Sequence, residues 1–294
     1  MGNKNIKKLK ILILGISGML GHKAFELLSL NDKYETFGTL RNDNDISIYF
    51  SESKNRRNII SGIDALNPNS VLELLDDLNP DLIINCIGII KQLKESKNPL
   101  LSIEINSLFP HRLASHVEGS KTRLIHISTD CVFSGEKGNY TETDNSDAKD
   151  LYGKTKFLGE LLSYKNSITI RTSIIGPELK GKLSLLEWFL AQKETINGYT
   201  KAIYSGFPTI ELINIIENYI IPNPQFYGLY NASSLPISKY DLLKIISKVY
   251  KKEININPFN EFRTDKSLNC NKFIKDFKFE QKPWPQMILE MQSS

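Results

Sequence analysis

Cysteine is scarce in this 294-residue chain: Cys86, Cys131 and Cys270 are an odd number without paired spacing. That excludes a disulfide framework and makes a reducing, cytoplasmic setting the expectation. Histidine is scarce too, with four residues. Histidines and cysteines together show no ligand spacing, so no metal is expected. No apolar run approaches the roughly 20 residues that a membrane span needs, and no membrane partner is expected. Neither sign of charge dominates, because 37 Lys and Arg stand against 33 Asp and Glu, a net charge of +4 spread along the chain. This is no nucleic-acid footprint, and the interleaved aromatic and basic residues of single-strand binders are missing. The small positive balance suits a phosphorylated small molecule. There is no internal repeat.

What is present reads as a soluble α/β protein. Hydrophobic residues make up 40% and charged residues 24%, ordinary values for a globular chain. The lysines from Lys4 to Lys10 followed by Ile11-Leu12-Ile13-Leu14 look superficially like a leader. The apolar run is too short for one and leads directly into glycines, so a first strand is expected there. Further strands are expected at Glu35–Leu40, Asn58–Ser61, Asp81–Cys86, Arg123–Ser128 and Ile168–Thr172. Helices are expected between them at Leu20–Leu30, Ser70–Leu78 and Leu101–Val117, the last disturbed by Pro110, and from Tyr152 to Leu162. This alternation predicts a Rossmann-type doubly wound parallel sheet, with Leu82–Ile84 and Leu124–Ile127 as central strands apolar on both faces.

Beyond Thr172 the pattern loosens, with helices expected at Ser184–Leu190, Thr209–Ile220 and Lys239–Val249 and a strand near Gly228–Ala232. The expected organisation is a nucleotide-binding domain over 1–172, completed by 207–232, and a smaller interleaved substrate-binding region over 173–206 and 233–294.

Two motifs carry the chemistry. The first is Gly15-Ile16-Ser17-Gly18-Met19-Leu20-Gly21, placed after a strand and opening a helix. Glycines there permit a tight turn and close approach of the backbone to a pyrophosphate, and the helix N-terminus offers unpaired N–H groups. Gly15, Ser17, Gly18, Met19 and Leu20 are the expected pyrophosphate lining. Where NAD-binding sheets carry an acid at the end of the second strand, this chain has Arg41, which would attract a 2′-phosphate and favour NADP(H). Asp64 ends the third strand region and reads equally as an adenine contact or a turn carboxylate.

The second motif is Tyr152-Gly153-Lys154-Thr155-Lys156, which puts a phenol and an ammonium one helical turn apart. A neighbouring ammonium favours tyrosinate and makes the phenol a usable acid. Thr129, at the C-terminal end of a strand, would face the same crevice and could bond a substrate carbonyl beside Tyr152.

With the strings Ser128-Thr129-Asp130-Cys131-Val132-Phe133-Ser134-Gly135, Tyr140-Thr141-Glu142-Thr143-Asp144, Leu151 to Glu160 and Ile170-Arg171-Thr172-Ser173, the chain resembles the extended short-chain dehydrogenase/reductases, and among them the dTDP-4-dehydrorhamnose reductase family. The resemblance implies an NADP-dependent oxidoreductase that reduces the C4 keto group of a nucleotide-linked 4-keto-6-deoxy sugar. It implies that Tyr152 is the general acid, that Lys156 lowers its pKa and holds the nicotinamide ribose, and that Thr129 orients the keto oxygen. Cys86 and Gly88 would pass close to the cofactor ribose. Asn106, counted with the cofactor-binding residues, matches a position that buttresses the active-site strands. Pairing into a homodimer through helices flanking the sheet is compatible with the resemblance.

There are departures. Cys131 stands where the rhamnose enzymes commonly carry tyrosine and related dehydratases carry glutamate, which disfavours 4,6-dehydration. Thr129-Asp130-Cys131 also echoes an epimerase-reductase whose partner histidine is replaced here by Glu178. A thiolate at Cys131 could abstract a proton α to a ketone. The strings from Ser184 to Leu190 and from Gly198 to Gly206 look like a subgroup in which UDP-linked N-acetylated sugars are plausible substrates. Trp188 is expected to stack on sugar or base, and Lys201 to meet the substrate diphosphate. Three readings follow: a 4-keto reductase, a bifunctional epimerase-reductase, and a non-catalytic NADP-binding regulatory subunit.

Overall fold

The computed structural model describes residues 7–294, so Lys4, the first of the expected leading lysines, lies outside the described residues. The chain opens with β1 (Leu9–Leu14), the glycine turn and α1 (Met19–Leu28). Then come β2 (Tyr34–Thr39), α2 (Asn44–Tyr49), β3 (Ile59–Ile60), α3 (Pro68–Leu78) and β4 (Leu82–Asn85). A helix interrupted by a π-helical turn follows: α4 (Pro99–Ile103), the turn at Glu104–Leu108, and α5 (Phe109–His116). After it come β5 (Arg123–Ile127), α6 (Leu151–Leu158), β6 (Ser167–Arg171), β7 (Ile174–Ile175) and α7 (Leu185–Ala191). The remainder comprises β8 (Ile196–Tyr204), β9 (Phe207–Pro208), α8 (Thr209–Ile215), β10 (Gly228–Asn231), β11 (Ile237–Ser238), α9 (Lys239–Val249), β12 (Ile256–Asp265), α10 (Asn271–Phe277) and α11 (Trp284–Gln292).

Seven parallel strands form one sheet in the order β10-β6-β5-β4-β1-β2-β3. This is the Rossmann-type doubly wound α/β fold. Ile11 to Leu14 and Ile83, Ile84, Leu124 and Ile125 are fully buried, because helices cover both faces of a parallel sheet. The chain reverses its winding between β1 and β4, which leaves a crevice at the C-terminal ends of those strands. β10 returns after a long excursion to pair with β6, with Asn231 opposite Arg171. The excursion contributes β8 and a small β7-β9 pair, and β11 and β12, which follow β10, pair with β8 in a second sheet, β11-β8-β12.

The structure departs from the local expectations, or adds to them, at three places. The helix beginning at Tyr152 stops at Leu158, short of Leu162. Gly159 follows, and a Cβ there would lie 2.0 Å from the carbonyl oxygen of Asn106, so the chain turns away against the π turn. The disturbance expected at Pro110 is this π turn, one register earlier: Pro110 has no N–H to give the carbonyl of Asn106. The second sheet has no counterpart among the expected strands. β12 is mostly exposed and contains Pro258, so neither apolar alternation nor composition marks it.

Candidate active site

The crevice has a volume of about 1290 Å³, more than the roughly 300–1,000 Å³ of a usual single-ligand pocket. It runs from the glycine loop, across the ends of β1, β4 and β5, to β12. Gly15, Ser17, Gly18, Met19 and Leu20 all line it. Gly15 has φ +85°, which only glycine adopts without strain. A Cβ on Gly21 would stand 2.2 Å from the carbonyl oxygen of Gly15, so α1 can press directly on the turn. No side chain caps α1, whose first N–H groups therefore open to the crevice.

Arg41 lies at the far end, exposed and without an ion pair among the described residues. Asp45, one turn on, is occupied by Lys180, whose Nζ is 2.7 Å from its Oδ2. Asp64 lines the crevice and also closes a turn, accepting the N–H of Leu66 at 3.0 Å. Cys86 and Gly88 line the middle, where burial pushes the Cys86 thiol up to about 12.

Asn106 is not on the crevice surface, contrary to its expected place among cofactor-binding residues. It is 1% exposed. Its Oδ1 accepts the N–H of Ile89 at 2.9 Å and its Nδ2 donates to the carbonyl of Ile89 at 3.0 Å. It therefore holds the Gly88 loop from behind, which agrees with a buttress.

Thr129, Tyr152 and Lys156 converge on the crevice floor. Asp150 caps α6 by accepting the N–H of Gly153 at 2.8 Å. Gly153 packs so closely on Cys131 that a Cβ would lie 2.2 Å from the Cys131 carbonyl oxygen, which brings Tyr152 against the Thr129–Cys131 segment. Thr129 Oγ1 accepts the N–H of Cys131 at 3.1 Å and donates to Asp130 at 3.1 Å. Lys156 Nζ donates to the carbonyl of Ile127 at 2.7 Å. Burial lowers Lys156 to about 8, although Glu160 and Cys86 pull it upward.

The phenol of Tyr152 is pushed above its ordinary range, first by burial and then by Cys131, while Thr129 pulls it down. The net direction is thus opposite to the expected lowering by Lys156, because burial of the phenol outweighs its neighbours. The Cys131 thiol is pushed up to about 12 by burial and by Asp130.

Two expected substrate contacts do not reach the crevice. Trp188 sits on α7 at 39% exposure, turned away from it, while Ser184 and Leu185 at the start of that helix line it. Lys201 points to solvent from β8, although Ile203 and Tyr204 of the same strand do line the crevice. In their place the fold brings up residues without a local signal: Lys239 at the start of α9, Phe262 and Thr264 along β12, and Lys266 just after it. Asp130, inside the Ser128–Gly135 string, also lines the site, and burial raises its carboxyl. Among the described residues no group of His, Cys, Asp and Glu could hold a metal ion, and no helix is long and apolar enough to cross a membrane.

With this geometry in place, comparison with known proteins is decisive at the family level. A family model described as the RmlD substrate binding domain matches residues 9–201, from β1 into β8. The chain belongs to this family. Among curated relatives, the dTDP-4-dehydrorhamnose reductase of Aggregatibacter actinomycetemcomitans is 29% identical over 79% of this chain and 76% of its own length. The methionine adenosyltransferase 2 subunit beta of Bos taurus is 26% identical over 62% of this chain and 51% of its own length. The crystal structure of a dTDP-4-dehydrorhamnose reductase from Bacillus anthracis in complex with NADP superimposes with a TM-score of 0.79, at 21% identity and 99% coverage of both chains. At that identity the likeness is one of fold. The matched family segment contains every crevice residue from the glycine loop to Ser184 and ends before α9 and β12.

Proposed function

We propose that this protein reduces the C4 keto group of a nucleotide-linked 4-keto-6-deoxy hexose with NADPH. The sugar is the dTDP-linked compound of rhamnose synthesis or a UDP-linked 2-acetamido analogue, and the product serves glycan assembly in the cytoplasm. The observation that carries the reading is the convergence of Thr129, Tyr152 and Lys156 at the floor of a crevice that begins at an uncapped glycine-loop helix. Residues 1–172 with 207–232 would hold the cofactor, and 173–206 with 233–294 the substrate.

The residues present fit the cofactor. Gly15, Gly18 and the open N–H groups of α1 suit a pyrophosphate, and Arg41, in no ion pair among the described residues, suits a 2′-phosphate. When bound, NADPH supplies the hydride. Tyr152 donates its phenolic proton to the C4 oxygen as negative charge develops there. Its raised pKa keeps that proton in place until the oxygen calls for it. Lys156, anchored on the carbonyl of Ile127, brings a positive charge to the same face of α6 and stabilises the tyrosinate left behind. Thr129 is held by Cys131 and Asp130 and fixes the position of the phenol and the keto oxygen. Abstraction of an α proton would need Cys131 as a thiolate, and a thiol pushed up to about 12 argues for reduction without epimerisation.

NADPH oxidation with dTDP-, UDP- and GDP-linked 4-keto-6-deoxy sugars, with and without a 2-acetamido group, tests the proposal. Tyr152→Phe should abolish turnover and leave NADPH binding intact; turnover that survives this change overturns the mechanism. A second reading, a regulatory subunit, draws support from the likeness to methionine adenosyltransferase 2 subunit beta. It predicts NADPH binding with no keto sugar reduced, and the intact Thr129, Tyr152 and Lys156 stand against it.

A further inference from the structure

We propose that one face of β12, continued by Lys266 just beyond its end, is the specificity-determining row for the nucleotide half of the substrate, with Lys266 on the diphosphate and Phe262 against the base. The proposal deepens the reductase reading and rests on it for the identity of the reacting sugar.

Side chains two apart in a strand share a face. Phe262 and Thr264 of β12 line the crevice, as does Lys266, which continues the alternation one residue beyond the strand's end, while Arg263 and Asp265 do not. The row therefore presents an aromatic ring, a hydroxyl and an ammonium in sequence, over about 13 Å at the usual rise per residue. That span is comparable to an extended nucleoside diphosphate.

The row has a fixed polarity. Its inner end is docked on the loop that follows Thr129: Asp265 donates its N–H to the carbonyl of Gly135 at 2.7 Å. A Cβ on Gly135 would lie 2.2 Å from Thr264 Oγ1 and 3.0 Å from Lys266 Cγ, so the absence of a side chain there lets β12 close on the catalytic segment. The charge of Lys266 is felt by Asp130, Cys131 and Asp150, next to Tyr152. Lys239, at the start of α9 and also lining the crevice, adds a weaker favourable charge to the same carboxyl of Asp130. Neither lysine has an ion-pair partner among the described residues. Two free ammonium groups beside the reacting end suit an anion attached to the sugar.

The outer end is built for stacking. Phe262 is half exposed, yet braced: its ring lies 5.4 Å from Tyr199, and Tyr199 lies 5.5 Å from Phe259 in an edge-to-face contact. The pairing of β12 with β8 shifts register between Phe259 and Arg263, and such irregularities re-aim side chains near active sites. An exposed ring braced by Tyr199, itself backed by Phe259, offers a flat face to a base. Stacking on such a ring is tolerant of base identity.

The test is calorimetric titration of UDP, dTDP and GDP into the full-length protein saturated with NADP⁺, for the wild type, Lys266→Ala and Phe262→Ala. The wild type should bind at least one of the three. Each variant should bind it at least about tenfold more weakly, as loss of a charged contact or a stacked base implies. The salt dependence should flatten only in Lys266→Ala. Unchanged affinity in either variant, or no binding to the wild type, overturns the row. If nucleotide binding follows the row but no keto sugar is reduced, the row stands and the reductase reading falls. If keto sugars are reduced with wild-type KM in both variants, the reductase reading stands and the row falls.

Discussion

Glu160 and Arg171 form a two-armed ion pair in the interior: Arg171 Nε donates to Oε1 and Nη2 to Oε2, each at 2.7 Å. The side chains are 1% and 2% exposed. Ser128 adds a third bond to Glu160 at 2.8 Å, and the guanidinium lies 5.0 Å from the ring centre of Phe133. The pair thus ties α6 and β6 to the strand end that carries Thr129. Removing one partner leaves a buried charge uncompensated. Arg171→Met should destabilise the protein by about 3–5 kcal/mol in denaturant unfolding. A loss below about 1 kcal/mol would mean that the site relaxes or admits water.

Gly21→Ala should be severe. The added carbon would meet the backbone of Gly15 and Ile16 at 2.2 to 3.0 Å, and backbone cannot rotate aside. A stability loss on the order of 3 kcal/mol is expected, with weaker NADPH binding by fluorescence titration. Wild-type affinity in this variant would show that the turn can move without harm to the site.

Arg41→Ala should weaken NADPH binding about tenfold or more and leave NADH binding nearly unchanged. Equal effects on the two cofactors would remove Arg41 as the reader of the 2′-phosphate.

Lys156 gives a pH signature. Burial lowers it from its ordinary 10.5 to about 8. Between those values the unfolded chain binds more protons than the folded one, so stability rises with pH. The burden of burying a charged ammonium is full below about pH 8 and is relieved as the pH climbs to 10.5. Lys156→Met should therefore gain most over wild type near neutral pH and lose about 3 kcal/mol of that advantage by pH 10.5. A difference between the two proteins that is flat with pH would refute the burial of the charge. If the ammonium is needed in turnover, reduction by the wild type should decline with rising pH around a midpoint near 8.

Much of the nucleotide-binding half could be read along the chain because its signals are local. The run Ile11–Leu14 is apolar on both faces since it lies mid-sheet, and Gly15 and Gly21 mark a turn that tolerates no side chain. Tyr152 and Lys156 come together by helical period alone. Asn106 is legible in the sequence as a position but not as to its surroundings, because only the π turn brings its amide to the Gly88 loop from behind.

By itself, then, the sequence determined the alternation of strands and helices in the nucleotide-binding half, the glycine cradle and the spacing of phenol and ammonium, all of which depend on neighbours within a few residues. Tertiary structure alone decided which side chains complete the crevice. Trp188 and Lys201 carry suitable chemistry but face elsewhere, whereas Phe262 and Lys266 arrive on and just after a strand that composition does not announce. That strand exists because β8 supplies its hydrogen-bonding edge and Gly135 leaves room for it to dock. Likewise, the direction of the Tyr152 shift follows from burial by distant segments, which residue types at fixed spacing do not encode.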